Sequence, residues 1–283
     1  MYIDTHSRNS MEQSVCDFFN TSICELEKLF NMAGKEAQND LSFDCQKFDN
    51  VINEFIEKKR PKDKIIDEIL FFHLGRRLNT AQNCNIGNNL YDLLSGESAI
   101  SSYLREHDVE FIPCDGHLDL IYKGREVSLE DTNRQYINYL RWRLGHNRNR
   151  IDYCFNGFAF KDLLYRNNYA RALFGVPEFI ERLGNFLKRN DILDDYLQNS
   201  VYYCFEYKLP LERVIFDDKP ELPNEEKPVF LFNRVLSRLY DYYTRCDKYI
   251  FDHDNPIIRL SDNDTMPEKF YIAKNIITWD MLR

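Results

Sequence analysis

LFFHLGRRLN, residues 70–79, decides the fold, because it fits two kinds of secondary structure. Taken alone it is a short apolar run that stops at Gly75, Arg76 and Arg77, which reads as a buried strand. Taken with its neighbours as KDKIIDEILFFHLGRRLN, it sets Ile65, Ile66, Ile69, Leu70, His73 and Leu74 at the spacing of an amphipathic helix with a half-buried histidine. On the strand reading His73 is the candidate site residue. On the helix reading His117, in the alternating run GHLDLIYKGREV, takes its place.

Two later fragments share the pattern of an apolar, strand-like run beside a single polar group. NGFAFKDLLYRNNYARAL at 156–173 joins Gly157, Phe158 and Phe160 to Asp162 and to Tyr169 on a following helix. MPEKFYIAKNIITWDML at 266–282 sets Glu268 at the opening of a last strand through Phe270, Tyr271, Ile272 and Ala273. In this order the three fragments resemble the catalytic core of the ADP-ribosyltransferases, the branch of the poly(ADP-ribose) polymerases and their mono-ADP-ribosylating bacterial relatives. His73, Gly75 and Arg76 stand as that family's first-strand histidine, glycine and arginine, with Leu74 inserted. Phe158, Ala159 and Phe160 occupy the stretch where its strand tyrosine falls. The resemblance runs from about residue 65 onward, roughly half the chain, with large insertions.

The resemblance implies an α+β fold, with a split mixed or antiparallel sheet and flanking helices. It implies a catalytic domain over 63–283 behind a helical cap or partner-binding region over 1–62. It also implies NAD as cofactor, bound through His73, Gly75, Arg76, Gly157, Phe158, Phe160 and Tyr169, with Glu268, His73 and Tyr169 as the catalytic set. Cleaving ribose from nicotinamide expels a neutral leaving group and leaves an oxocarbenium-like cation, so positioning and electrostatics carry the reaction. A histidine donates a hydrogen bond to the adenosine ribose, an aromatic face stacks on nicotinamide, and a carboxylate holds the nicotinamide ribose and steadies the cation. Relatives of this size are often bacterial toxins, phage-defence proteins or injected effectors. A neutralising antitoxin or chaperone is therefore an expected partner, and one ADP-ribose per acceptor the expected product.

Composition bounds the rest. A formal net charge of −9 argues against a surface that coats nucleic acid. Yet no acid falls between Asn133 and Ile151, where Arg134, Arg141, Arg143, Arg148 and Arg150 alternate with Tyr136, Tyr139, Trp142 and His146. Arginine mixed with aromatics grips phosphates and stacks on bases. Arg141, Arg143, Arg148 and Arg150 are thus the candidate acceptor-binding residues, and they tilt the acceptor toward RNA or DNA. The same stretch also reads as a helix over 130–145 with its aromatics packed inward and its arginines in water.

Eight cysteines, Cys16, Cys24, Cys45, Cys84, Cys114, Cys154, Cys204 and Cys246, form no C-x-x-C pair and no Cys/His cluster at zinc spacing, so no metal is expected from them. They read as reduced, buried small hydrophobes. With no leader pattern and no 18-residue apolar stretch, a cytoplasmic location is expected.

Two other functions compete. Glu206 and Lys208, a Glu-x-Lys pair on the strand-like run VYYCFEYKLP at 201–210, would share one strand face beside a divalent ion in a nuclease, with Asp119 or Asp195 completing the ligands. A non-catalytic interaction module is the third.

Periodicity predicts helices over 10–33 and 43–58, a loop over 79–89, helices from Leu90 to Leu94 and from Ser98 to Glu106, and a hairpin from 109 turning at Lys123 and Gly124. Further helices follow from Pro177 to Leu187, up to Asn199, and over 230–246. The proline- and acid-rich stretch DDKPELPNEEKP at 217–228 is expected as an exposed loop, and 247–267 as polar connection.

Overall fold

A computed structural model describes residues 1–39, 42–82, 85–130, 135–147, 151–244 and 248–283. Along the chain run α1 (Arg8–Phe19), α2 (Ile23–Ala37), α3 (Cys45–Lys59), β1 (Glu68–Leu78), α4 (Leu90–Ser95), α5 (Ala99–Glu106), β2 (Val109–Cys114), β3 (His117–Tyr122), β4 (Arg125–Glu126) and α6 (Gln135–Arg143). Then come β5 (Asn156–Phe158), α7 (Asn168–Ala172), α8 (Glu178–Leu187), α9 (Asn190–Gln198), β6 (Ser200–Pro210), β7 (Ile215–Phe216), α10 (Lys227–Thr244), β8 (Ile257–Arg259) and β9 (Tyr271–Ile276). The fold is α+β, an antiparallel sheet with flanking helices. Backbone pairing orders its strands β7-β8-β5-β1-β6-β9, while β2, β3 and β4 form a second, three-stranded sheet. Among the described residues no helix is long and apolar enough to cross a membrane.

The deciding stretch is a strand. Within β1, residues 69–72 are all buried, as expected of an inner strand covered on both faces, where a continuous apolar run replaces alternation. The helix expected over 10–33 is two helices. Asn20 takes a left-handed conformation at φ 48° that ends α1, and Ser22 and Glu25 form a capping box that starts α2; such a cap is worth about 1 kcal/mol. β8 lies where only a polar connection was expected, its short IIR core hidden among acids and asparagines.

The chain divides into two compact units, and the division falls inside β1, β5, α7, β6 and β8. The first unit comprises residues 1–72, 158–168 and 208–258. Here α10 buries Leu231, Phe232, Val235, Leu236 and Leu239 along one stripe and packs on α1, α2 and α3. Phe232 meets Phe18 at 4.5 Å and Phe19 at 4.7 Å between ring centroids. The N-terminal helices are therefore built on a helix from late in the chain. In the same unit, Phe72 pairs with Phe158, and the segment after β5 is pinned by Thr5, whose hydroxyl donates to Ala159 O at 2.6 Å.

The second unit comprises residues 73–157, 169–207 and 259–283. One core in it gathers Leu104, Val109, Leu118, Leu120, Leu140, Leu144, Leu183 and Ile192 from the hairpin and from α5, α6, α8 and α9. The hairpin turns at Asp115–Gly116, both at positive φ (43° and 84°), and again at Lys123–Gly124 (51° and 71°). These are two-residue connections whose twist suits a tight antiparallel pair. Gly145 follows α6 at φ 81°, where an added Cβ would fall 1.9 Å from the Tyr153 hydroxyl. Glycine alone lets the chain pass there.

Candidate functional site

His73, Gly75 and Arg77 alternate on β1 and so share one face. A Cβ on Gly75 would stand 2.6 Å from Nε2 of His73, so the glycine keeps that ring nitrogen clear of its own strand. Nδ1 of His73 lies 2.7 Å from the Asn156 carbonyl oxygen. A carbonyl only accepts, hence Nδ1 carries the proton, and Nε2 of the neutral ring is a lone-pair acceptor. The expected role as a donor to ribose is corrected by this geometry: His73 accepts.

Burial, with the nearby positive Arg77, pushes the His73 pKa down to about 3, against a partial counter-effect of the Asn156 hydrogen bond. As pH falls through the ordinary histidine range near 6.5, the unfolded chain takes up a proton before the folded one does. The stability that the neutral ring contributes is therefore complete above about pH 6.5 and is lost on acidification toward pH 3. NMR of the His73 ring is expected to show no titration between pH 5 and 8. A midpoint near the ordinary histidine value would mean that the folded protein does not disfavour the charged ring.

Around His73, Phe155 stacks at 4.2 Å and Phe205 lies at 6.1 Å, with the Arg77 guanidinium 4.7 Å over Phe205. The segment at Gly87 presses so closely on Phe155 that a Cβ there would overlap the ring at 2.4 Å. Gly87 and Met266 exchange backbone hydrogen bonds at 3.0 and 2.6 Å. Two residues after Met266, the exposed Glu268 begins a 3₁₀ turn, Glu268–Phe270, so it precedes the last strand and does not open it. Asn85 Nδ2 donates to its Oε1 at 3.4 Å. Tyr271, half-buried at the start of β9, packs edge-on to Tyr207 at 6.1 Å, and Tyr207 meets Phe155 at 5.9 Å. A continuous run of contacts thus joins Glu268 and Tyr271 to His73 through Phe155.

Tyr169 is not part of that group. Side chains alternate along β6, so Tyr202 and Phe205 point to opposite faces. Phe205 faces His73, whereas the Tyr202 hydroxyl donates to Ala170 O at 3.0 Å, which puts α7 and Tyr169 on the other side. Arg76 belongs to that far side too. Its guanidinium donates to Ser200 Oγ, Phe174 O and Ser200 O at 2.8, 2.6 and 2.7 Å, so it rivets backbone and is not poised for a phosphate. Gly157, Phe158 and Phe160 are buried; Phe160 is fully covered, with its backbone bracketed by the Asn255 side chain at 3.0 and 2.8 Å. They are core, not cofactor lining.

The candidate acceptor residues fare similarly. Arg143 is largely buried in an ion pair with Asp152 at 2.5 Å, and Arg141 donates to Leu129 O at 3.1 Å. Arg134, Arg148 and Arg150 lie outside the described residues. The tilt toward nucleic acid loses its basis in the two arginines that can be followed. Glu206 is buried, 6% exposed, and the register shift opposite it sets Ile272 of β9 out of pairing, so burial and not strand geometry counts against a Glu-x-Lys metal site. Lys208 pairs with Glu68 at 3.6 Å, Asp195 accepts from Asn199 at 2.9 Å, and Asp119 stands beside His117.

Cysteine burial departs from expectation as well: Cys204 is buried and Cys16 and Cys154 half-buried, but Cys24, Cys45 and Cys114 are exposed. Cys84 and Cys246 are outside the described residues. Sequence reading missed Tyr271, the Asn85–Gly87 segment, and the grouping of Cys114, His117 and Asp119 on one hairpin. That grouping had a visible signal, C-x-x-H-x-D around an Asp-Gly turn. Comparison of the chain with protein-family models, with curated proteins and with solved structures gives no match.

Proposed function

We propose that the chain is an NAD-dependent ADP-ribosyltransferase that moves a single ADP-ribose to a macromolecular acceptor, working through His73, Glu268 and, in place of Tyr169, Tyr271. The observation that carries this reading is the run of contacts from His73 through Phe155 to Gly87 and Met266, with the exposed Glu268 two residues beyond. His73 Nε2 accepts a hydrogen bond from a hydroxyl of the adenosine ribose. Glu268 accepts from the nicotinamide ribose and opposes the charge that grows on C1′ as the glycosidic bond breaks and its electron pair leaves with nicotinamide. The acceptor lone pair then closes on C1′, and its proton passes to Glu268 or to water. Tyr271 offers the aromatic face for nicotinamide. The split-sheet arrangement of the family and a cytoplasmic role as a toxin or defence effector, held by an antitoxin or chaperone, belong to the same proposal.

The test is incubation of the purified protein with NAD labelled in its adenylate phosphate and a whole-cell lysate. Nicotinamide release and transfer of label are expected, with protease and nuclease digestion assigning the acceptor. A reaction that releases no nicotinamide and labels nothing sinks the reading.

A further inference from the structure

We propose that the tip of the β2–β3 hairpin is a binding site for a divalent transition metal of the zinc class, ligated by Cys114 Sγ, a ring nitrogen of His117 and a carboxylate oxygen of Asp119. The ligand atoms of these three residues all lie within 4.8 Å of one another. The hairpin itself brings them together: Cys114 and His117 are the cross-strand pair that closes the Asp115–Gly116 turn, so their side chains leave the same face, and Asp119, two residues on, shares it. Leu118 and Leu120 point the other way into the core, 0% and 1% exposed, which anchors the strand in register. His117 Nε2 lies 3.1 Å from Asp119 Oδ1.

A second histidine stands beside the group. The His146 ring lies 4.4 Å from that of His117, and its Nε2 donates to Leu118 O at 3.0 Å. Because the Leu118 carbonyl only accepts, the proton sits on Nε2 and the lone pair of the neutral ring falls on Nδ1. A ring whose second nitrogen is fixed by a backbone carbonyl is how ligating histidines are oriented, and His146 is the candidate for the fourth position. The backing is stiff: Leu118 N donates to Leu144 O at 2.9 Å, and Gly145 has no room for a Cβ against Tyr153 and Gly116.

Thiolate, imidazole and carboxylate together select zinc, cobalt or nickel over magnesium or calcium. A dication beside the Cys114 thiol favours its thiolate form. The group formed by Asp152, Cys154 and Asp262 is already committed: Asp152 pairs with Arg143, Asp262 accepts from Tyr153 N, and burial pushes the Cys154 thiol up to about 12.

Titration of the full chain with cobalt(II) tests the site. Wild type is expected to bind one equivalent with a thiolate-to-cobalt charge-transfer band. Cys114→Ser should lose the band, and His117→Asn and Asp119→Asn should weaken binding by about 10- to 100-fold, each with an unchanged circular-dichroism spectrum. His146→Asn should alter the ligand-field spectrum of the bound ion. Absence of stoichiometric uptake by the wild type overturns the proposal, as does a band that persists in Cys114→Ser, since the exposed Cys24 and Cys45 would then be its source.

Discussion

Asp162→Ala is expected to destabilise the protein by about 3–5 kcal/mol, measured as a fall in the urea midpoint without a change in slope. Asp162 and Arg238 have side chains only 7% and 2% exposed, with Arg238 Nε 3.3 Å from Asp162 Oδ2. The Tyr242 hydroxyl lies 2.7 and 2.9 Å from the two carboxylate oxygens, and burial beside that carboxylate keeps the phenol protonated, pushed up to about 12. The guanidinium also sits 4.3 Å over the Tyr242 ring. Removing the carboxylate takes away the nearer partner and leaves the buried guanidinium to its longer ion pair with Asp241 at 3.9 Å, beyond good hydrogen-bond range. Replacing the pair together, Asp162→Leu with Arg238→Met, should recover most of the loss, since a desolvated ion pair and a well-packed apolar pair are close in net worth. A loss below about 1 kcal/mol for Asp162→Ala would show the network to be dispensable. The aspartate of the Gly-aromatic-Asp signature thus has a structural task, and nicotinamide release per folded molecule is expected to be unchanged by its removal.

What could be read from the sequence follows from how local each signal is. The hairpin turn at Lys123–Gly124 was legible because its lysine–glycine pair, at positive φ, announces itself by type. So was the cap at Ser98, whose hydroxyl accepts from Ser101 N at 3.0 Å to start α5. The stretch 70–79 was ambiguous because an inner strand buries both faces and erases the alternation that tells strand from helix. Tyr169 was hard to place for a different reason. Its place depends on which face of β6 receives α7, and that is settled by Tyr202 and Arg76, contacts more than thirty residues or nearly one hundred away in sequence. Charge told little about the arginines near 141, since Asp152 and the Leu129 carbonyl consume the two that can be followed. Glu268 was singled out by order along the chain alone. Its neighbourhood, made by Gly87 against Phe155, rests on a glycine in an asparagine-rich loop that nothing local marks as special.

Glu268→Gln is expected to lower kcat for nicotinamide release by about 10²–10³-fold while leaving KM for NAD nearly unchanged. Glutamine keeps the size of the side chain and its capacity to accept a hydrogen bond, but not the charge. Ground-state NAD carries little demand for that charge at C1′; the oxocarbenium-like transition state carries a full one, so the loss falls on kcat. Glu268 is exposed and sits in a single 3₁₀ turn, so the substitution should move stability by no more than about 0.5 kcal/mol, and lost turnover cannot be put down to unfolding. His73→Ala separates the second role. On the proposed reading its Nε2 would engage the adenosine half equally before and during bond cleavage, so KM should rise with kcat less affected. The two variants together ask whether one cleft holds both groups: a Glu268→Gln enzyme with kcat within about threefold of wild type would remove the carboxylate from the chemistry and leave the chain of contacts from His73 as packing alone.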